Sequence, residues 1–450
     1  MITFLWLALG VTCVACVVLQ LYKRSQQQEQ TTSPEFRTFQ RNYLLVYYVV
    51  VCSDWLQGPY VYALYDHYGF KKQQIATLFI AGFGSSMVFG TFVGALADKY
   101  GRKTMALAFG VFYIVSCVTK LFNDFNMLLL GRITGGVATS LLFSTFEAWM
   151  ICEHNKHQFS ESWLSDTFSW STFGNGVVAI LSGVLASFVA RSYGFVAPFM
   201  TSILFLAVEM IIVFFTWTEN YGDAKIEIQG TFTNAINAMR NDLRIPLLGL
   251  IQSLFEGSMY LFVFMWTPML ENVAKEDFKT EGGLHGLIFA AFMIAMMVGS
   301  SVFSLAVGTM KMSIESLIKV VFLTATCALA VPVFIKQANI ILIAFMVFEA
   351  CCGMYFPCIG SLRGRIIPED NRAAIMNFFR VPLNIIVVST LYFIDSLGDD
   401  TIFLLCACGL AGALGLTMIL TSATTPESKI VSKETDWVSQ MEDDKASSDV

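Results

Sequence analysis

Charge is what this chain is short of. Only 14% of its 450 residues are Asp, Glu, Lys or Arg, against about a quarter in an ordinary water-soluble domain, which leaves too little polar surface to cover a globule in water. Histidine is scarcer still, with four in all, so a multi-histidine metal centre has little to draw on. A GxxxxGK[ST] phosphate loop, the HExxH of zinc proteases and the GxSxG turn of serine hydrolases are missing from the sequence. No enzyme is expected on that ground, and no cofactor is implied. The net charge of −6 gives no basic footprint for nucleic acid. The eleven cysteines fall inside apolar stretches or at their edges, where a free thiol behaves as a small apolar group. They imply no disulfide framework, and the Cys13/Cys16 pair is read as part of an apolar helix rather than a metal site.

What the chain has is hydrophobicity in long runs: 56% of residues are apolar and the mean hydropathy is +0.63. The runs fall near 1–22, 41–65, 75–97, 104–122, 125–151, 166–190, 196–217, 244–270, 283–307, 314–336, 339–361, 373–395 and 401–422. Each is close to the roughly 20 residues a helix needs to cross a ~30 Å hydrocarbon core. A membrane β-barrel would show shorter, alternating segments. The fold class is therefore all-α transmembrane, with the lipid bilayer as partner. The first run lacks a basic leader and a small-residue cleavage site before Lys23 and Arg24; it is read as an extra retained helix rather than a signal. If run 41–65 leads outward and the rest alternate, eighteen Lys and Arg fall inside and seven outside, with Arg132, Lys319 and Arg380 within runs. That satisfies the positive-inside rule. A multi-pass protein is expected, in the plasma membrane for want of a retention signal.

The longest polar insert divides the later helices into two sets of six. The expected organisation is an extra helix and linker over 1–40, a six-helix bundle over 41–217 and a cytoplasmic loop over 218–243. A second six-helix bundle over 244–422 and a polar tail over 423–450, expected to be disordered, complete it. A repeat supports the division: Phe146-Glu147-Ala148 recurs as Phe348-Glu349-Ala350, and Asp54 has Glu256 at the same spacing of 202 residues. A duplicated unit with a pseudo-two-fold axis along the membrane normal places a site between the halves.

The sharpest motif joins the second and third helices of the first bundle: Gly94, Asp98, Lys99, Gly101, Arg102 and Lys103 in the frame G-x3-D-[RK]-x-G-R-[RK]. In that frame the chain resembles the major facilitator superfamily. Leu128, Arg132, Gly135 and Gly136 resemble a second pattern of the same group. The resemblance implies alternating access by two six-helix bundles, with the Gly94, Asp98, Gly101 and Arg102 loop as a cytoplasmic latch between them in the outward-open state. The fifth helix of the first bundle carries Gly174, Gly176 and Gly183 without the antiporter proline, and the second copy of the loop, near Gly308 and Lys311, has lost its acid. Both departures weaken an antiport assignment. Closer likeness lies in Asp54-Trp55-Leu56-Gln57, Phe255-Glu256, Phe348-Glu349 through Pro357, Ile367-Pro368-Glu369 and Asn377 through Leu383. These resemble the molybdate-anion transporter branch, which implies uptake of an inorganic oxyanion.

Ionisable groups inside the runs are functional candidates by default. A charge at a helix centre costs about 2.5–3.5 kcal/mol on insertion scales, so Asp54, Glu147, Glu256 and Glu349 unpaired would cost on the order of 10 kcal/mol. They must pair, take a proton or line water. Arg132 is expected to face the interior and find an acid, with Glu147 a structural partner for it or for Arg380. Arg380, just before Pro382, offers the planar fork that suits a tetrahedral oxyanion. Gln57 and Asn377 could line the cavity. Four carboxylates beside so few arginines do not attract anions, and protonation of several acids, hence proton coupling, would reconcile the two. The same lining suits a sugar, and a non-transporting receptor on a carrier scaffold is a third reading. Glu209 and Lys319 are read as structural pairs, and Glu153, His154 and His157 as a solvated helix end.

Overall fold

The computed structural model describes residues 2–25, 33–222, 228–280, 284–368 and 372–423. The expected tail, from residue 424 on, lies outside the described residues. Among the described residues sixteen α-helices follow one another: α1 (Ile2–Ser25), α2 (Pro34–Trp55), α3 (Val61–His67), α4 (Lys72–Tyr100), α5 (Arg102–Thr119), α6 (Phe125–Lys156), α7 (Glu161–Tyr193) and α8 (Ala197–Thr216). After them come α9 (Ile228–Asn241), α10 (Arg244–Val273), α11 (Lys275–Thr280), α12 (Leu284–Gly308), α13 (Ile314–Phe334), α14 (Ala338–Ile366), α15 (Arg372–Tyr392) and α16 (Asp399–Ala423). Ten are by themselves long and apolar enough to span a bilayer; α1, α2 with α3, and α15 account for the other apolar runs.

Local signals set the helix ends. Ser33 caps α2 by accepting from the Phe36 N–H at 3.1 Å, with Pro34 at the first turn. Asp124 does the same for α6 through Met127. After Trp55 the chain narrows into a 3-10 turn at Gly58–Tyr60, where Pro59 cannot donate to a continuing α-helix, and α3 resumes the span. This break lies just beyond Asp54.

The two halves repeat one packing scheme. In α2–α8, α2 packs on α7 and α8, α4 on α6, and α5 on α6 and α8; in α10–α16, α10 packs on α15 and α16, α12 on α14, and α13 on α14 and α16. The halves meet through α7 against α12 and α4 against α15, two contacts that exchange under a two-fold rotation. Helix α1 docks on α12, across the molecule from the half it precedes in sequence, and α9 lies against α15 and α10.

At the α4–α5 corner, Gly101 has φ 97°, a left-handed backbone that favours glycine. A methyl there would also sit 2.4 Å from the Glu219 carboxyl carbon. Glu219 accepts from the N–H of Lys103 (2.7 Å) and Thr104 (3.1 Å) and from the Thr104 hydroxyl (2.6 Å), so it neutralises the start of α5. Arg102 bonds Asp98 at 2.9 Å and donates its backbone N–H to the Asn220 carbonyl at 2.9 Å. The partners named here lie on α4, α5 and the segment just after α8, so these contacts tie the corner to the start of the inter-bundle connection rather than to the second half. Gly94, read as the first residue of that loop frame, has nothing within 4 Å of its Cβ position. Glu219→Ala should cost about 1–2 kcal/mol, the size of a lost helix cap, and lower the melting temperature of the purified protein. Glu219→Gln, which keeps one acceptor oxygen, should cost less.

Candidate functional site

The outer ends of the halves are closed on each other. Phe264 of α10 takes the rings of Tyr62 and Phe79 edge-on at 5.2 and 5.1 Å, Tyr260 meets Phe83 at 4.9 Å, and Phe289 meets Trp55 at 5.6 Å. Gly286 of α12 runs so close to α7 that an added Cβ would lie 2.3 Å from the Gly183 carbonyl oxygen. His285 is boxed by Tyr60, Phe195, Trp266 and Phe278 and bonds Glu271 at 2.7 Å. Lys72 at the start of α4 pairs with Asp399 at the start of α16 at 2.5 Å, and Asn272 donates to the other oxygen of Asp399 at 3.2 Å.

This seal is sensitive to charge. The Asp66 carboxyl, just past the membrane segment, is held above the usual carboxylate range first by burial and then by Glu271 of the other half, with His285 and His67 opposing. It binds its proton more tightly in the closed state than it would in water. Closure is therefore favoured as pH falls through that raised value and weakened above it. The Lys72–Asp399 pair is about a quarter exposed on each side and worth roughly 0.2–1 kcal/mol. Lys72→Met should raise the open-to-closed ratio up to about fivefold, read as longer distances between spin labels on the outer ends of α4 and α16.

Deeper in, the sequence-predicted acids have unlike surroundings. Asp54 accepts from the Tyr113 hydroxyl of α5, inside the first bundle. Gln57 donates to the Ser53 carbonyl and the Ser202 hydroxyl, both at 3.1 Å, and so ties the break in the first span to α8 instead of facing a cleft. Glu147 is exposed; its charge is felt by Tyr43 and Tyr47, and Tyr47 also feels Asp54. Among the described residues Arg132 does not find the acid expected for it. Its Nε donates to the Leu78 carbonyl at 3.1 Å and its guanidinium lies 4.8 Å from the Phe79 ring. Glu147 stands 15 residues along the same helix, roughly 22 Å away at 1.5 Å per residue.

In the second half Glu256 accepts from the Tyr355 hydroxyl at 3.3 Å and lies within electrostatic reach of two arginines, Arg363 and Arg380. Arg380 is exposed and reaches across the boundary: a methyl on Gly90 of α4 would sit 3.0 Å from its Nη1. Neither arginine forms an ion pair with an acid among the described residues; the Arg363 contact is the Met376 sulfur at 3.9 Å. Arg363 counts as a cytoplasmic charge in the positive-inside tally, and the structure instead turns it toward Glu256. The available signal was its place two heptads beyond Glu349 on α14, which puts the two on one helix stripe. Glu349 is buried, 6% exposed, with no hydrogen-bond or ion-pair partner among the described residues. The Asn377 side chain lies outside the described residues.

Two structural readings need correcting. Both carboxyl oxygens of Glu209 are buried without a partner among the described residues, so it is not a structural pair there. Glu153 and His154 are 3% and 1% exposed, and Glu153 accepts from Lys156 and Thr218; these two are buried, while His157 at the same helix end is exposed as expected. No group of three or more His, Cys, Asp or Glu suited to a metal occurs among the described residues.

Residues 4–350 match a family model described as sugar transporters, 12 TM. Proteins named molybdate-anion transporter from Xenopus tropicalis and Danio rerio are each 34% identical to this chain, over 87% and 85% of it and 88% and 85% of themselves. Among solved structures, the xylose transporter of E. coli in an inward-open conformation aligns with TM-score 0.63 at 12% identity, over 83% of this chain and 94% of that one. A human organic anion transporter aligns with TM-score 0.59 at 14% identity, over 86% of this chain and all of that one. At such identities these structures establish the fold alone.

Proposed function

We propose, from the premise that this chain belongs to the molybdate-anion transporter family of the major facilitator superfamily, that the solute it carries is molybdate and that Arg363, Arg380 and Glu256 hold it. The chain is a secondary membrane transporter, not an enzyme, with the fold of that superfamily. The observation that carries the finer reading is the pair of guanidiniums, neither bonded to an acid among the described residues, that share one carboxyl at the boundary between the halves.

Charge decides in favour of an oxyanion over a sugar. With Glu256 ionised, the three groups sum to one positive charge; with Glu256 protonated, they sum to two, which matches a divalent tetrahedral oxyanion. Forked guanidiniums give such an ion paired donors. A neutral sugar would leave that charge in hydrocarbon without compensation, at a cost of several kcal/mol. The other carboxylates do not ring this site: Asp54 is turned to Tyr113, Glu147 faces tyrosines and Glu349 is buried. Because the outer end is shut, the site in this state opens to the cytoplasm. Proton and anion then travel together, the proton on Glu256, and the halves rock about Arg380 where it meets α4. The plasma membrane is the proposed location.

Purified protein in vesicles provides the test. Radiolabelled molybdate should enter, faster with acid outside; tungstate should compete and xylose should not. Glu256→Gln should keep a molybdate flux but lose its response to the pH gradient. Inhibition by sugars with indifference to tungstate would overturn the oxyanion reading.

A further inference from the structure

The wall that the first half presents to Arg380 lacks a side chain at one place. On α4, Phe79 and Phe83 meet Phe264 and Tyr260 of α10 at 5.1 and 4.9 Å. Ser86 and Gly90 continue that face toward the cytoplasm at helical spacing. A Cβ on Gly90 would lie 3.0 Å from Nη1 of Arg380 on α15 and 3.5 Å from the hydroxyl oxygen of Ser140 on α6. Apart from the backbone of its own helix and its chain neighbours, no other heavy atom of the described residues comes within 4 Å of that position. One point beside bare backbone therefore has a guanidinium from the second half and a hydroxyl from the first half close around it. Ser140 is 7% exposed, and its hydroxyl reaches the Ser86 carbonyl at 2.8 Å, the Gly136 carbonyl at 3.1 Å and the Ser86 hydroxyl at 3.2 Å. One hydroxyl proton cannot serve all three. Both carbonyls lie inside helices, where backbone N–H groups satisfy them, so turning the Ser140 proton toward a ligand strands neither.

Building on the oxyanion reading above, we propose that one oxygen of the bound ion rests against the Cα of Gly90, between the Arg380 guanidinium and the Ser140 hydroxyl, and that the bare backbone there sets the size of ion the protein accepts. Glycine is the residue that lets a ligand come close to the main chain, and an oxygen just beyond the Cβ position is within reach of both donors. A methyl on Gly90 would take up the space against which that oxygen rests. In the empty site the tip of Arg380 can swing away from such a methyl. With an anion bound the guanidinium is fixed on it by charge-assisted bonds, and the methyl then displaces the ion. The larger tetrahedra, molybdate and tungstate, lose most; sulfate, with shorter bonds to its oxygens, still fits. Because its ligands come from both halves, the ion also draws α4 and α15 together.

Full-length protein is dialysed to equilibrium with radiolabelled molybdate, which is then displaced by unlabelled molybdate, tungstate or sulfate. Gly90→Ala should weaken molybdate and tungstate about tenfold, the scale of one added carbon in a close-fitting pocket. Sulfate should lose much less, so the preference moves toward the smaller ion. Alanine suits the middle of a helix better than glycine, so this variant should melt no lower than the wild type, which separates a narrowed site from poor folding. Ser140→Ala should weaken all three ions alike and leave the preference unchanged. Molybdate binding by the wild type with an unchanged molybdate-to-sulfate ratio in Gly90→Ala would overturn the role of Gly90 and leave the oxyanion reading standing. No molybdate binding by the wild type would overturn both.

Discussion

Arg380→Ala should abolish concentrative uptake of molybdate while leaving a folded protein in the membrane. The side chain is exposed to the cleft and bonded to no acid among the described residues, so its loss breaks no described internal ion pair, and exposed positions of this kind usually change stability by no more than about 0.5 kcal/mol. For the bound anion the loss is large. Removing one partner of a desolvated, charge-assisted pair costs about 2–5 kcal/mol, which is roughly 30-fold to several thousand-fold in Kd. With Glu256 protonated it also leaves Arg363 as the single positive charge, which no longer matches a dianion. Arg380→Lys should recover part of the affinity, since an ammonium restores the charge but not the planar fork. Equilibrium binding and vesicle flux on the same preparation separate lost affinity from lost rocking. Wild-type affinity in Arg380→Ala would remove this residue from the site.

The second large effect is on folding. Helices α12 and α14 touch backbone to backbone: a Cβ on Gly299 would sit 1.9 Å from the Ala350 carbonyl oxygen, and one on Gly353 would sit 2.0 Å from that of Met296. Neither obstacle is a side chain that can turn away, so the helices must part. Small residues drive helix association in a bilayer because close packing there replaces the hydrophobic effect. Ordinary overpacking costs about 1–3 kcal/mol; here two turns of one crossing would be wedged apart. Gly299→Ala should sharply lower the yield of monodisperse protein, and Gly299→Ala with Gly353→Ala should leave almost none. The first half uses the same device at α4 and α6, where a Cβ on Gly136 would meet the Gly82 carbonyl oxygen at 2.5 Å. A normal yield from the double variant would mean that the crossing is looser than described.

Much of the architecture is legible in the sequence, because the bilayer imposes it. Apolar runs, their number and the asymmetry of Lys and Arg follow from transfer energies that act residue by residue. The Asp98–Arg102 pair is legible too, since its spacing of four residues closes on a helix turn. What is lost is anything decided by long-range packing. Glu219 lies over a hundred residues from the helix start it caps. Arg363 looks like one more cytoplasmic charge until α14 is placed beside α10. The repeat marks Glu147 and Glu349 as equivalents, yet one faces tyrosines and the other is sealed in, because duplicated helices keep their register longer than their neighbours. The docking of α1 on the opposite half has no signature in α1 itself, whose apolar residues read alike on every face.

Equilibrium dialysis of molybdate against the purified wild-type protein and its Arg363→Ala/Arg380→Ala variant bears most directly on the guanidinium pair. One molybdate per wild-type chain, displaced by tungstate, tighter at acid pH and undetectable in the variant, is the expected result. Equal binding by both proteins, or none by the wild type, would contradict it.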